Sequence, residues 1–255
     1  GNDNLSGIVL WALLLREMKK VKLRNNYRFV IHPETIGAVT YLSMNESEML
    51  NIEGGFVITT VAGPGQIGFK KTFKNDSIID VVTELTLKEK NIDYKKYFFD
   101  ADAGSDERQY SSQFFNIPMA TISKDQYFEY DYYHTSLDNL DFISGKFLVE
   151  TLDLYIDVIN KLERNFNYRS QNPKCEPMLG KRNLYPKTGG QLKQSAAVED
   201  NNHISWDEKL KAINWLMYYS DGSNSLIDIA NKTKIKFEIL YQNAELLKQK
   251  MLLKR

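Results

Sequence analysis

The sequence predicts an α/β protein with a mixed sheet and flanking helices, followed by a small all-α domain. Short apolar runs alternate with amphipathic helical patterns over the first part of the chain, which is typical of layered α/β folds. A polar segment rich in proline and glycine then precedes three closely spaced helical patterns. We therefore expect an α/β domain at residues 1–166, a linker or arm at 167–205 and a small helical domain at 206–255.

Each element of the first domain is predicted from its own apolar pattern. Helical spacing predicts amphipathic helices at residues 6–23, 76–90 and about 141–165. Short apolar runs predict strands at residues 27–31 and 54–61, near residue 97 and at 118–122. Residues 34–42 are typical of a loop that leads into a helical turn. The predicted inner face of the first helix carries Leu5, Val9, Ala12, Leu13 and Met18.

Composition excludes a protein that is basic as a whole. The 255 residues contain 33 basic and 33 acidic side chains, so no global field favours nucleic acid or anionic lipid. A single cysteine, Cys175, excludes an internal disulfide and fits a reducing compartment. The early apolar run IVLWALLL has neither a basic segment before it nor a cleavage site after it, and is too short to span a bilayer. We expect a cytoplasmic protein without a membrane partner.

Three polar residues in separate loops are candidates for a metal site. Asp3, Glu34 and His134 supply carboxylate and imidazole groups, which are common ligands of zinc. Their convergence would require three distant loops to meet at one edge of the sheet. The alternative is structural: Asp3 caps the first helix, Glu34 begins a helical turn and His134 is a hydrogen-bonded loop histidine.

Five motifs in order resemble a known family. They are NDNLSG, PETIG, GSDERQY with FNIP behind it, YHTSLDNLDF and LGKRNLYP, which together span residues 2–186. The chain is similar to bacterial aminopeptidase-like proteins that often accompany polysaccharide-biosynthesis genes and carry a C-terminal winged helix. These proteins belong to the superfamily of zinc-dependent aminopeptidases. The resemblance implies a phosphorylase/hydrolase-like sheet and a substrate that is a small peptide or amide with a free amino end.

The resemblance also implies roles for individual residues. Asp3 matches an aspartate that bridges two zinc ions, and His134 matches a histidine that binds one of them. Glu34 falls in the segment that supplies the general base and a carboxylate ligand, so that Glu34 is the expected base and Thr35 stands at the ligand position, or the reverse after a shift of one residue. The base would take a proton from metal-bound water.

The GSDERQY segment resembles a loop at the substrate end of the cleft. On that basis Asp106, Arg108 and Tyr110 are predicted to contact substrate. An ion pair between Asp106 and Arg108 that stiffens the turn is the structural alternative. His32 has no counterpart among the family ligands, so we expect it to be incidental.

The sequence departs from the family pattern at two ligand positions. Superfamily members have a histidine ligand shortly before the bridging aspartate, and the 255 residues do not include it or the strands that precede it. Gly63 stands about where a further aspartate ligand is expected. The remaining donors make an incomplete zinc site.

The last helical patterns resemble a winged helix with a missing or shortened wing. Residues 206–219, 225–233 and 235–250 are the predicted helices, and SDGSNS between the first two supplies a helix cap. Lysines in the third helix are offset by Glu238 and Glu245, and no arginine is present there to read guanine. Docking or homo-oligomer formation is therefore favoured over binding to nucleic acid.

Three functional hypotheses follow. The first is a zinc-dependent hydrolase of the aminopeptidase type. The second is a catalytically inactive relative that serves as a binding or assembly module in polysaccharide biosynthesis. The third is a DNA-associated regulator, which predicts DNA binding that weakens with salt.

Overall fold

The computed structural model describes residues 1–185 and 205–255, which divide into two compact units, Gly1–Glu163 and Arg164–Arg255. A short irregular π-helical turn at Asn2–Ser6 precedes the first regular helix. The helices of the first unit are α1 (Gly7–Met18), α2 (Ile36–Met44), α3 (Glu46–Met49), α4 (Ile78–Glu89), α5 (Glu107–Tyr110) and α6 (Gly145–Arg164), whose last residue begins the second unit. Its strands are β1 (Gly55–Phe56), β2 (Ile67–Lys70), β3 (Tyr94–Tyr97) and β4 (Met119–Lys124).

The four strands form a mixed sheet in the order β1-β4-β2-β3. β1 runs parallel to β4 and β2 runs parallel to β3, whereas β2 and β4 are antiparallel. All six residues of β4 and all four of β2 are buried, because both strands lie inside the sheet. The predicted mixed α/β fold is confirmed, and the central strand β4 ends beside the loops that carry the candidate site.

Two predicted strands differ from the structure. Residues 27–31 have no regular secondary structure, and only Gly55–Phe56 of the predicted strand 54–61 pairs in the sheet. The first segment is tied to the end of α6 instead, since the Glu163 carboxylate accepts hydrogen bonds from the backbone N–H groups of Arg24 and Asn25 and from the Tyr27 hydroxyl. A run of apolar residues is insufficient to form a strand when its backbone has no neighbouring strand to pair with.

The buried face of α1 was predicted correctly at Met18 but wrongly at Leu5, Val9 and Ala12. Leu5 is 65% exposed and Val9 is 48% exposed, whereas Leu10, Leu14 and Met18 form the buried stripe. Gly7 sets this rotation, because a side chain there would begin 2.5 Å from the Ile58 carbonyl oxygen. The sequence contains apolar residues on more than one side of this helix, so periodicity did not distinguish the inner side.

The second unit contains strands as well as the three predicted helices. Its helices are α7 (Trp206–Tyr219), α8 (Leu226–Thr233) and α9 (Phe237–Gln249), with a short 3-10 turn at Gly180–Arg182. β5 (Asn167–Ser170), β6 (Asp221–Ser225) and β7 (Leu253–Lys254) form an antiparallel sheet in the order β6-β5-β7. Ser225 caps α8 in a reciprocal box with Asp228, as the sequence indicates, although SDGSNS is largely strand β6 rather than a simple turn.

The segment predicted as a linker, 167–205, begins with β5 of the second unit. Residues 186–204 of that segment, and with them Pro186 of the LGKRNLYP motif, lie outside the described residues. Within residues 1–185 and 205–255, no helix combines the length and the apolar character needed to cross a bilayer.

Candidate functional site

The loop that carries Asp3 is anchored to the sheet by hydrogen bonds of its residues Asn2 and Ser6. The buried Asn2 side chain donates from Nδ2 to the Lys124 carbonyl oxygen at 3.0 Å and accepts the Ala62 N–H at Oδ1 at 2.8 Å. The Ser6 hydroxyl accepts the Val61 N–H at 3.1 Å. These bonds join the loop to the end of β4 and to the segment after β1, so Asp3 is presented at the edge of the sheet.

Asp138 holds the same loop from the opposite side. Its Oδ1 accepts the Asn2 N–H at 2.6 Å, and its Oδ2 accepts the Asp3 N–H at 2.9 Å. Burial raises the pKa of Asp138, but these two backbone N–H bonds, together with the charge of the Gly1 amino group and the Tyr130 hydroxyl, lower it below its usual value. Sequence reasoning missed this aspartate, although it lies in the YHTSLDNLDF motif.

His134 lies directly against Asp3. The His134 Nε2 is 3.1 Å from the Asp3 Oδ2, and the imidazole stacks on Tyr133 with ring centroids 3.8 Å apart. Burial raises the pKa of Asp3, opposed by the charge of His134 and reinforced by the charges of Glu34 and Asp138. The structure therefore brings together two residues that are 131 positions apart in the sequence, Asp3 and His134.

Glu34, the third residue predicted for the site, lies within electrostatic range of Asp3. Its negative charge is close enough to raise the pKa values of Asp3 and of Tyr133, the latter to about 12 mainly through burial. The Ser105 hydroxyl donates a hydrogen bond to Glu34 Oε1. In the described part of the chain, no hydrogen bond is made to Glu34 Oε2, so one carboxylate oxygen is free to accept a proton. Thr35, the alternative at this position, has its backbone N–H bound to Asp106 Oδ1 at 2.7 Å.

The GSDERQY loop meets His32 rather than forming the ion pair considered from the sequence. Asp106 Oδ2 lies 3.6 Å from His32 Nδ1, and His32 Nε2 lies 3.0 Å from the Tyr110 hydroxyl. Arg108 bonds to the Ala101 carbonyl oxygen at 3.4 Å, and no pair between Asp106 and Arg108 occurs among the described residues. Burial raises the pKa of Tyr110 to about 12. Burial also raises the pKa of Asp106, and the charge of His32 opposes that second shift. His32, expected to be incidental, therefore links the two loops.

A buried cluster of Lys70, Glu107 and Tyr127 lies beneath the same loop. Lys70 Nζ donates to Glu107 Oε1 at 2.6 Å and to the Tyr127 hydroxyl at 2.9 Å. The side chains of Lys70 and Glu107 are only 5% and 1% exposed. Sequence reasoning missed this cluster, because its members lie on three separate elements and only Glu107 belongs to a motif, GSDERQY.

The described side chains do not by themselves fit a two-zinc centre. Asp3 and His134 offer two adjacent donors, whereas a catalytic zinc usually has three protein ligands. Within residues 1–185 and 205–255, no group of three or more His, Cys, Asp and Glu side chains could hold a metal ion. At Gly63, where the family pattern has an aspartate, a Cβ atom would lie 2.0 Å from Asp125 Oδ2, so that space is occupied by another carboxylate.

The third helix of the second unit, α9, has its charges largely paired. Glu245 binds Lys248 at 3.1 Å and Arg255 at 2.7 Å, and Glu238 binds Arg164 at 2.8 Å. Such pairs reduce the positive potential that a nucleic-acid interface needs.

Comparison with known families matches the whole chain. Residues 1–165 match a family described as a domain of unknown function (DUF4910), and residues 166–255 match the winged helix-turn-helix family. A protein of Clostridium acetobutylicum, provisionally named a polysaccharide biosynthesis protein with an aminopeptidase-like domain, is 39% identical over 253 residues, which are 99% of this chain and 55% of the relative. The chain thus spans about half the length of that relative.

Solved structures agree on the fold. A crystal structure from Clostridium acetobutylicum, provisionally described as a peptidase, has a TM-score of 0.85 and 37% identity, covering 99% of this chain and 54% of the other. The aminopeptidase of Aneurinibacillus sp. strain AM-1 has a TM-score of 0.54 and 21% identity, over 64% of this chain and 39% of its own. A zinc aminopeptidase from Bacillus subtilis has a TM-score of 0.54 and 19% identity, covering 63% of this chain and 42% of its own. At these lower identities the likeness shows the fold alone.

Proposed function

This chain belongs to the family described as DUF4910, with a winged helix-turn-helix unit after it, and we propose that it is part of an aminopeptidase-like hydrolase acting on a small peptide or amide with a free amino end. The observation that carries the proposal is the convergence of Asp3, Glu34 and His134 from three distant loops. The names of the 39% identical relative and of the 37% identical crystal structure, an aminopeptidase-like domain and a peptidase, support the same reaction class.

The charge of the site suits a substrate with a free amino end. The negative charge of Glu34 acts on both Asp3 and Asp106, and that of Asp138 acts on Asp3, so four carboxylates lie in one region. A cluster of carboxylates attracts an ammonium group, and the half-buried position of Asp3 strengthens that attraction relative to bulk water. Substrate amino groups would bind here by charge and hydrogen bonding.

Glu34 is the general base of the proposed reaction. Ser105 holds one carboxylate oxygen, which leaves the other to take a proton from the water that attacks the amide carbonyl carbon. The same proton then passes to the leaving nitrogen as the C–N bond breaks. Zinc is the cofactor proposed from the family, but Asp3 and His134 are too few to hold it, so further donors would have to come from residues beyond the described set.

The deciding experiment measures bound zinc and hydrolysis of aminoacyl p-nitroanilides with the purified chain and with the full-length protein. We expect Asp3→Ala to lose bound zinc, and Glu34→Gln to keep zinc while its kcat falls at least about 100-fold. Asp131→Asn, an exposed acid in the His134 loop, is the matched control and should change neither quantity. Equal zinc content in wild type and Asp3→Ala, or full activity in Glu34→Gln, would refute the assignment.

A catalytically inactive binding or assembly module is the second candidate. The observation that favours it is the presence of Gly63, backed by the Asp125 carboxylate, at a position where the family pattern has a ligand. This reading expects less than one zinc per chain and no hydrolysis, with the fold and the Asp3–His134 contact unchanged. A role in polysaccharide biosynthesis, suggested by the name of the 39% identical relative, would apply to either candidate. The cytoplasmic location stays a prediction.

A further inference from the structure

We propose that the buried cluster of Lys70, Glu107 and Tyr127 is a positioning device that fixes the carboxylate of Glu34 through Ser105. The inference rests on the proposed function only in taking Glu34 as the base. All three side chains are buried, and none is among the residues predicted to bind metal or substrate. Their contacts instead lead, bond by bond, to the one carboxylate oxygen of Glu34 that is held.

The hydrogen-bond donors of Lys70 are all used within or next to the cluster. Besides Glu107 and Tyr127, Lys70 Nζ donates to the Ala103 carbonyl oxygen at 3.2 Å, so each of its three N–H bonds has an acceptor. The amine has no proton left for a substrate. An ion pair at this depth contributes little net stability but is costly to break, which makes it suited to holding a loop in one geometry.

The second link runs from Glu107 to the backbone of Ser105. The Ser105 N–H lies 3.2 Å and 3.1 Å from the two Glu107 carboxylate oxygens. The chain passes the ion pair closely at Gly104, where a Cβ atom would lie 2.4 Å from Glu107 Oε1 and 2.9 Å from Lys70 Nζ. Only glycine permits this approach without displacing the pair, so the loop is wrapped around the cluster.

The third link is the side chain of Ser105. Its hydroxyl donates to Glu34 Oε1, and the next residue, Asp106, accepts the Thr35 N–H at 2.7 Å. The Glu34 segment is thus held by one side-chain bond and one backbone bond, both from the loop that Glu107 anchors. The free Oε2 is oriented as a result.

Tyr127 also extends toward the other side of the site. Its ring packs edge-on against Phe128 at 5.2 Å, Phe128 packs against Tyr133 at 5.0 Å, and Tyr133 stacks on His134. Tyr127→Phe would remove only the hydroxyl and would keep this ring contact. It is therefore a mild variant that should fold where Glu107→Gln fails.

Hydrogen exchange measured by mass spectrometry tests the proposal without metal or substrate. We expect Glu107→Gln and Ser105→Ala each to speed amide exchange in residues 32–37 by about 10-fold, the loss of one hydrogen bond, with Tyr127→Phe acting in the same direction. The double variant Glu107→Gln/Ser105→Ala should match the single variants there, since both act along one path. Glu89→Gln, which removes the charge of a partly buried ion pair with Lys161, is the control and should leave residues 32–37 unchanged.

Two results would overturn the proposal. The first is that Glu107→Gln speeds amide exchange in residues 101–110 but leaves the exchange rates of residues 32–37 unchanged. The second is that the double variant speeds exchange in residues 32–37 by the product of the two single-variant factors. Where wild type hydrolyses a p-nitroanilide, Glu107→Gln should lower kcat about 10-fold with KM nearly constant, again without adding to Ser105→Ala. If wild type hydrolyses nothing, the proposed function fails, whereas the exchange pattern still decides whether the cluster positions Glu34.

Discussion

His134 Nε2 lies 3.1 Å from Asp3 Oδ2, a contact between the first loop of the chain and a loop beyond its midpoint. Asp3 also senses the charges of Glu34 and Asp138, which disfavour its ionised form, while His134 favours it. The ionisation of Asp3 is therefore set by burial and by residues from two other loops, those of Glu34 and of His134 with Asp138. This balance gives the first prediction.

Replacing His134 by Ala should raise the pKa of Asp3 further, because the change removes a group that lowers it while burial and the two carboxylates remain. The carboxyl resonance of Asp3, followed by NMR against pH in protein labelled with 13C at aspartate, measures this. His32→Ala is the matched control. It should leave Asp3 unchanged and raise the pKa of Asp106 instead, since His32 lowers that pKa. An unshifted Asp3 in His134→Ala would contradict the geometry.

Replacing Asn2 by Ala should lower the free energy of unfolding by about 3 kcal/mol, because the Ala62 N–H and the Lys124 carbonyl oxygen would each lose a buried partner. Urea denaturation followed by circular dichroism measures the loss. Asn4→Ala in the same loop removes a single exposed bond to the Ile58 carbonyl oxygen and should cost less than about 1 kcal/mol. Equal losses in the two variants would argue against the anchoring role of Asn2.

Restoring an aspartate at Gly63 should fail unless Asp125 is shortened. A Cβ atom at residue 63 would lie 2.0 Å from Asp125 Oδ2, so Gly63→Asp should destabilise the protein by about 2 kcal/mol and leave zinc affinity unchanged. Gly63→Asp/Asp125→Ser should fold and bind zinc at least about 10-fold more tightly than wild type, as competition with a chromogenic chelator would show. Asp125→Ser by itself is the control. Unimproved affinity in the double variant would mean that residue 63 does not face the Asp3–His134 pair.

Asp221 in the second unit should titrate far below an ordinary aspartate. The Ser223 hydroxyl and N–H, with Asn224, lower its pKa to about 2, although burial opposes them. Because the folded pKa is below the unfolded value of about 3.9, the stabilisation is present above that pH and is lost as pH falls toward 2. Ser223→Ala should raise the pKa measured by NMR, and Ser223→Thr, which keeps the hydroxyl, should not. A normal pKa in wild type would refute the prediction.

The sequence by itself determined the family, the mixed α/β fold, the winged helix and the cap at Ser225, because these depend on local motifs and on apolar patterns that recur along the chain. It also picked out Asp3, Glu34 and His134 through motif resemblance, although their metal-binding roles stay predictions. Motifs and apolar patterns of neighbouring residues identify the family, the helices and the helix cap even when it is not known which distant segments meet.

Only the tertiary structure decided the contacts that fix the candidate site. The segment predicted as a strand at 27–31 has no regular secondary structure, and the chain just before it is held by Glu163, whose carboxylate accepts the backbone N–H groups of Arg24 and Asn25. In α1, Leu10 rather than Val9 is buried because Gly7 must approach the chain after β1. The roles of Asp138 and of the cluster around Glu107 were equally hidden. Each depends on a hydrogen bond or a close approach between residues distant in sequence, and such pairings are set by how the whole domain packs.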